Sequence, residues 1–354
     1  TRVASTISDG NVTSTIVTIT VNSLPSIPVA VSGSRYGTGS VSISAIVNSG
    51  ETIDWYNVST SGSILDGGNT TTNYTTPSIS STTHYYAQAR NITTSCIQST
   101  RADVSATINA LLVPTVTPTV GTYTYNGSSQ GPNGATNTGT GSSYTYSYSG
   151  TGYGPSATAP TNAGTYSVTV TVAADGNYNS ASSSVTSFTI GKATPVVTPT
   201  VGTYTYNGSS QGPNAATNTG TGSSYTYSYS GTGYGPSATA PTNAGTYSVT
   251  ATVAADGNYN SASSSATSFS IGKATPVVTP TVGTYTYTGS SQGPNAATNT
   301  GTGSSYTYSY SGTGYGPSAT APTNAGNYLV TATVAADGNY NSASSSATSF
   351  SIGK

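Results

Sequence analysis

An 81-residue cassette, written three times in succession, constrains this chain more than any other feature. Gly-Thr-Tyr-Thr-Tyr begins at Gly121, Gly202 and Gly283, and the cassettes close at Lys192, Lys273 and Lys354, so both spacings are 81 residues. The second and third copies differ at three positions: Asn207 against Thr288, Thr246 against Asn327, and Ser248 against Leu329. In a tandem array each copy is one supersecondary unit set against its neighbours. A unit of this length buries a modest share of its surface, so each copy is expected to be only moderately stable alone.

In the middle copy the apolar pattern has period two. Val196-Val197-Thr198-Pro199 opens it, and Thr203–Tyr206 continues as a strand that ends at the Asn207-Gly208 turn signal. Tyr225, Tyr227 and Tyr229 alternate with Thr226, Ser228 and Ser230, giving one aromatic face. Tyr247, Val249, Ala251 and Val253 form the cleanest core stripe, with Ser248, Thr250 and Thr252 expected to face out. Asp256-Gly257-Asn258 turns the chain, and Phe269 and Ile271 return to the same layer. No pattern of period 3.6 survives among the glycines and prolines, so no helix is expected.

The first third of the chain reads differently. Residues 1–24 alternate Val, Ile and Thr after Ser8-Asp9-Gly10-Asn11 and read as the closing hairpin of a preceding domain plus a linker, which Leu24-Pro25-Ser26-Ile27-Pro28 continues. Thr1 enters this pattern midway, as expected of a chain cut from something longer. Residues 25–110 carry short strands at Val41/Ile43/Ala45, Ile53/Trp55, Tyr85/Ala87/Ala89 and Val104/Ala106/Ile108. A lone Trp on the third strand suits an immunoglobulin-like sandwich, where it fills the centre of the core.

Composition excludes several classes of partner. The charged fraction is 4% and the net charge −1, far below the ~25% charged residues of ordinary soluble domains. Nucleic acid and anionic membrane surfaces both require clustered Lys and Arg, so neither is expected as a partner. No run reaches the ~20 apolar residues of a membrane-spanning helix, and no membrane insertion is expected. The 29 tyrosines and many β-branched residues argue for folded β-structure over disorder.

The chain offers little chemistry. Nucleophilic catalysis needs a base beside the nucleophile, yet His84 is the one histidine, set next to a core strand position. Each cassette holds one acid, Asp175, Asp256 or Asp337, inside an Asp-Gly turn that backbone geometry favours. Glu51, Asp54 and Asp66 cluster in the Ig-like part, but a hard cation usually draws on six or more oxygens, several of them carboxylate, so calcium there is an alternative and not the assignment. Gly150-Thr151-Gly152-Tyr153-Gly154 has neither the lysine nor the following helix of a phosphate loop. No catalytic, cofactor-binding or metal-ligating residue is assigned, and no cofactor is expected. The tyrosine runs are read first as core and cross-strand pairs, and second as a stacking platform for sugars. One or two of Tyr225, Tyr227 and Tyr229 are expected to be buried, and Leu329 is expected to touch a unit absent from this chain.

Two resemblances follow from particular residues. Arg35-Tyr36-Gly37-Thr38-Gly39-Ser40-Val41, Ile53-Asp54-Trp55-Tyr56, Tyr74–Ser80 and Thr83-His84-Tyr85-Tyr86 resemble the Ig-like domains of secreted Bacteroidetes proteins. In that family a cysteine stands at the place of Tyr36 and pairs with one matching Cys96; here the family disulfide is absent and Cys96 is expected to be a small buried residue. The cassettes resemble the MBG-type repeats of bacterial surface proteins through Lys192-Ala193-Thr194-Pro195, Tyr204-Thr205-Tyr206-Asn207-Gly208, Asn243-Ala244-Gly245-Thr246-Tyr247 and Ala255–Asn260.

The expectation is therefore an all-β chain of tandem Ig-like antiparallel β-sandwich domains arranged end to end. The divisions are 1–24, an Ig-like domain at 25–110, and repeats at 111–192, 193–273 and 274–354. The resemblance implies an extracellular, cell-surface stalk or spacer of a secreted adhesin, of the type gliding Bacteroidetes secrete, and not an enzyme. Its partners would be neighbouring domains of the same longer chain and, on the alternative reading of a multivalent binding module, surface glycans.

Overall fold

The computed structural model describes residues 19–67 and 72–354, so most of the hairpin expected within 1–24 lies outside the described residues. All regular elements among the described residues are strands. They fall into two compact units, one holding the described residues up to Thr122 with Ser129–Pro160 and Thr165–Thr189, the other holding Tyr123–Ser128, Thr161–Gly164 and Ile190–Lys354.

The Ig-like part of the first unit is a two-sheet sandwich. One sheet has the order β1 (Val29–Val31), β3 (Ser42–Ile46), β5 (Asn73–Thr75). The other has the order β2 (Gly33–Tyr36), β7 (Ala102–Asn109), β6 (Thr83–Asn91), β4 (Glu51–Tyr56). All pairings are antiparallel except β2 with β7. The alternating residues Val41, Ile43, Ala45, Ile53, Tyr85, Ala87, Val104 and Ala106 form the core around Trp55. Trp55 stacks on Tyr74 at 5.6 Å between ring centroids. Its indole Nε1 is buried and has no hydrogen-bond partner among the described residues. β4 is buried on its second face as well: Asp54 is covered by the Arg90 guanidinium, whose Nε donates to Asp54 Oδ2 at 2.8 Å. Arg101 lies 3.2 Å over the Tyr56 ring while donating to the carbonyls of Val58 and Ser61.

The second and third copies lie wholly in the second unit, and their strands correspond residue for residue. In the second copy the main sheet runs in the order Tyr204–Thr205, Thr267–Gly272, Gly245–Val253, Tyr225–Gly231, Tyr234–Ser237, with Ala262–Ser263 pairing the central strand. A separate two-stranded sheet joins Val197–Pro199 to Ala216–Asn218. The opening segment, read from sequence as one continuing strand region, is thus shared between two sheets: the chain leaves the small sheet after Pro199 and enters the main one at Tyr204. Its pairing there with Thr267–Gly272 is parallel, because both segments run toward the end at which the next copy begins.

Burial follows the expected stripe. Tyr247, Val249, Ala251 and Val253 point into the core, while Ser248, Thr250 and Thr252 take the other face, where they are half-buried. At one end Tyr229, Tyr247, Val249, Phe269 and Ile271 cluster; at the other Val197 closes over Ala251 and Val253. Glycine is required where the Tyr247 ring crosses Gly231, since a Cβ there would lie 2.6 Å from the ring.

Candidate functional site

The repeated tyrosines were the strongest candidates for a binding surface, and their rings face inward. Tyr229 is buried, and Tyr225 and Tyr227 are half-buried against the two core clusters. Their hydroxyls are engaged by loops. Tyr229 Oη donates to the Pro213 carbonyl at 2.6 Å, Tyr234 Oη to Thr239 at 2.5 Å and Tyr247 Oη to Asn243 at 2.9 Å. Tyr225 Oη accepts from Asn218 Nδ2 at 2.5 Å. A ring that fills the core at one end and ties a loop at the other explains why a small unit uses Tyr where Phe or Leu would fill space alone. Burial raises the Tyr229 and Tyr310 phenols above the ordinary value, with neighbouring tyrosines adding to the shift.

The other chemically interesting residues are dispersed. His84 Nδ1 lies 2.7 Å from Asp103 Oδ1, both side chains about half exposed. Asp54 is taken by Arg90, Glu51 Oε2 accepts from the Asn48 amide, and Asp66 meets Trp55 through backbone. Cys96 is a free thiol and half-buried, not the buried residue expected of it: it sits in the turn after β6, where its carbonyl accepts from the Asn91 amide. Leu329 is 41% exposed.

What the structure does assemble, twice and identically, is a coupling between consecutive copies. It starts from the Asp-Gly-Asn turn. Asp337 Oδ1 accepts from the Asn339 and Tyr340 amides at 2.8 Å each, and Oδ2 accepts from Thr302 Oγ1 at 2.7 Å. The Thr302 hydroxyl, then these amides, then Lys273 hold the Asp337 carboxyl below the usual carboxylate range. Asp256 is held down in the same way, by Thr221 first and with Lys192 nearby, and Asp175 by Thr140. These turns owe their shape to the carboxylate more than to glycine, since Gly257 has ordinary φ and open space around its absent Cβ.

The turn held in this way meets the preceding copy. Asn339 Oδ1 accepts from the Ala244 amide at 2.9 Å, across 95 residues of sequence, and Asn339 Nδ2 donates to Asn243 Oδ1 at 3.3 Å. The Tyr340 ring sits edge-on to Tyr206 at 5.3 Å. Lys273 Nζ donates to the Asp337 carbonyl at 2.6 Å. The connecting residue Ala274 pairs with the turn, donating to the Asn339 carbonyl at 3.0 Å and accepting from the Asn341 amide at 2.8 Å. One coupling earlier the same contacts recur. Asn258 Oδ1 takes the Ala163 amide at 2.9 Å, Tyr259 meets Tyr125 at 5.4 Å, and Lys192 Nζ reaches the Asp256 carbonyl. The contacting segments of the first copy, Tyr123–Ser128 and Thr161–Gly164, belong to the second compact unit. Each neutral hydrogen bond is worth ~0.5–1.5 kcal/mol net and the ring pair a similar amount.

Sequence reading had picked out these same residues as motif matches and missed their role. The partners lie one repeat apart, and copies this alike give no contrast by which a contact residue stands out.

The geometry defines a class: tandem all-β, Ig-like domains, the repeats coupled through a shared turn. Profile comparison matches residues 25–109 to the Ig-like domain described as CHU_C associated, and residues 114–194, 197–275 and 278–354 to the MBG domain. The MBG matches take up well over half of the chain, and the chain belongs to the MBG domain family. Domains of both kinds are typically non-catalytic structural modules and typically belong to extracellular proteins, and no enzyme family is among the matches. No curated protein matches the chain. Among solved structures it is similar to the N-terminal eight Ig domains of Down Syndrome Cell Adhesion Molecule, at 12% identity and TM-score 0.29, covering 93% of this chain and 49% of that one. The chain thus spans about half the length of that fragment. It is also similar to the titin I-band fragment I67–I69, at 11% identity and TM-score 0.29, covering 71% and 99%. A third similarity is to Drosophila N-cadherin EC1-4, at 12% identity and TM-score 0.22, covering 84% and 91%. None of the helices a membrane crossing would require occurs among the described residues, which says nothing of β-barrels.

Proposed function

We propose that this chain is a spacer segment of a large exported adhesin at a bacterial cell surface, holding an adhesive region at a distance from the cell. The observation that carries this reading is the coupling. Two consecutive junctions use the same turn, the same amide and the same ring pair, which is how a chain of small domains gains stiffness and mutual stability without a large interface. The inward tyrosines and the 4% charged fraction support the reading, because they leave a polar, nearly neutral surface with few handles for unintended partners. Its partners on this reading are neighbouring domains of the same protein.

Small-angle scattering on the purified chain, paired with a glycan array, tests the proposal. A spacer gives an extended particle of about 150 Å, as four sandwiches of ~35–40 Å would span, and no glycan signal. A compact particle, or saturable glycan binding, overturns it.

A further inference from the structure

Four elements make the receiving half of each coupling: the ring of Tyr125 or Tyr206, the pair Asn162-Ala163 or Asn243-Ala244, the side chain of Lys192 or Lys273, and the connecting backbone that follows. The third copy carries the same set at Tyr287, Asn324-Ala325 and Lys354. Here they are bare. Tyr287 is 52% exposed where Tyr125 and Tyr206 are half-buried, and Ala325 is exposed where Ala163 and Ala244 are half-buried. No acceptor among the described residues meets the Ala325 amide. The face is nonetheless already in its docking form: the Asn324 carbonyl is held by Tyr328 Oη at 2.9 Å, as Asn243 is by Tyr247, and the Tyr287 amide donates to Gly353 at 2.8 Å, as Tyr206 does to Gly272. A surface preset in this way has less ordering cost to meet on binding.

The three positions that distinguish the third copy from the second lie close to this face in the sequence. Thr288 follows Tyr287. Asn327 and Leu329 lie in the strand Gly326–Val334, which begins directly after Ala325, and Leu329 stands about 10 Å along it at ~3.3 Å per residue. Leu329 lines an open groove with Ser311, Thr313, Asn327 and Ser349. The first and second copies are identical at the matching rim positions, Asn126/Asn207, Thr165/Thr246 and Ser167/Ser248. So the groups that touch the turn are kept in all three copies, while the third copy differs from the other two at these positions, and the difference adds an exposed apolar side chain.

We propose that the outer end of the third copy is a docking face for a further β-domain joined through Lys354, which seats an Asp-Gly-Asn-Tyr turn against Tyr287, Asn324 and Ala325 beside Leu329. The joining through Lys354 follows from the filled couplings, where the lysine carbonyl and the alanine after it are themselves bonded to the turn. The inference rests on the face alone and is independent of the spacer reading.

The test extends the full chain after Lys354 with a second copy of residues 193–273 and follows amide exchange by mass spectrometry. Asn327 and Leu329 make the peptide around Ala325 distinguishable from every other copy. Docking slows exchange at Ala325 about 5- to 30-fold relative to the unextended chain, and replacing the turn asparagine of the added copy by alanine, or Tyr287→Ala, reverses the gain. Peptides of the second-copy type report whether the added domain is folded, since an unfolded one would contribute a fast-exchanging half. Unchanged exchange at Ala325 beside a folded added domain overturns the proposal.

Discussion

Replacing Asn339 by alanine removes two contacts across the coupling and leaves the turn that presents them intact, because the Asp337 carboxylate bonds the backbone amide of residue 339 and not its side chain. Lost are the acceptor for the Ala244 amide at 2.9 Å and the longer bond to Asn243 at 3.3 Å. At ~0.5–1.5 kcal/mol per neutral bond, with the longer one at the low end and Ala244 half-buried so that water replaces part of the loss, the coupling weakens by about 1–2 kcal/mol. That is a ~5- to 30-fold faster exchange of the Ala244 amide. The assay is hydrogen exchange on the full chain. The corresponding peptides of the first two copies are separable because Val170 stands where the second has Ala251. Ala163, bonded to Asn258 at 2.9 Å in the preceding coupling, is the internal control and keeps its protection. Asn258→Ala reverses the pattern. Equal change at both amides, or none at Ala244, would refute the idea that each junction is held by its own turn.

Other outcomes follow from the same geometry. Gly257→Ala stabilises its copy by about 0.4–1 kcal/mol, since the new Cβ meets nothing within 4 Å and φ is ordinary, whereas Gly208→Ala at φ 81° costs about 1–2 kcal/mol; thermal melts of the two variants check the opposite signs. Asp256 and Asp337 have carboxyls depressed in the folded state, so their contribution is complete above the ordinary value of 3.8 and is lost as pH falls through the lower folded value; protection of Ala163 and Ala244, taken relative to the intrinsic exchange rate at each pH, falls only below that range. Tyr247→Ser empties a buried aromatic site at a cost of about 3–5 kcal/mol, comparable with the ~4–12 kcal/mol expected of a unit this size, so the second copy melts ahead of the others in calorimetry.

The fold was legible because the signals were local. Period-two alternation placed Tyr247, Val249, Ala251 and Val253 in the core, Asn207-Gly208 marked a turn whose glycine takes positive φ, and the lone Trp55 marked the centre of the Ig-like sandwich. Strands of two to four residues, such as Ala216–Asn218 and Tyr234–Ser237, escaped notice because their polar sequence carries no alternation. Tyrosine was ambiguous for a chemical reason: a ring that stacks on sugar and one that fills a core while its hydroxyl reaches a loop carbonyl have the same sequence signature. Only the bond from Tyr229 to Pro213, and its equivalents, separates them. The coupling was illegible in principle, since Asn339 and Ala244 meet across a full repeat and nothing local marks either.

Near-identity between copies carries a folding hazard whose size can be read from the core. A strand of one copy inserted in another must fit the second copy's packing. Exchange between the first and second copies would set Val170 where Ala251 is fully buried, an overpacking of about 1–3 kcal/mol. Exchange between the second and third meets no such penalty, because Tyr247, Val249, Ala251 and Val253 are matched by Tyr328, Val330, Ala332 and Val334. Two of their three differences, Thr246 against Asn327 and Ser248 against Leu329, travel with the swapped strand but on its outward face, where the exchange alters the Ser230–Ser248 hydroxyl contact and no core volume. Swapped misfolding should therefore favour the second and third copies over the first and second by roughly five- to more than a hundredfold, given tenfold per 1.4 kcal/mol. Refolding the pairs 112–273 and 193–354 from denaturant at matched dilution measures it, as the fraction that fails to regain native exchange protection. Equal fractions would mean that core volume does not discriminate between neighbours and that the couplings form first, fixing each copy in place before its central strand can be exchanged.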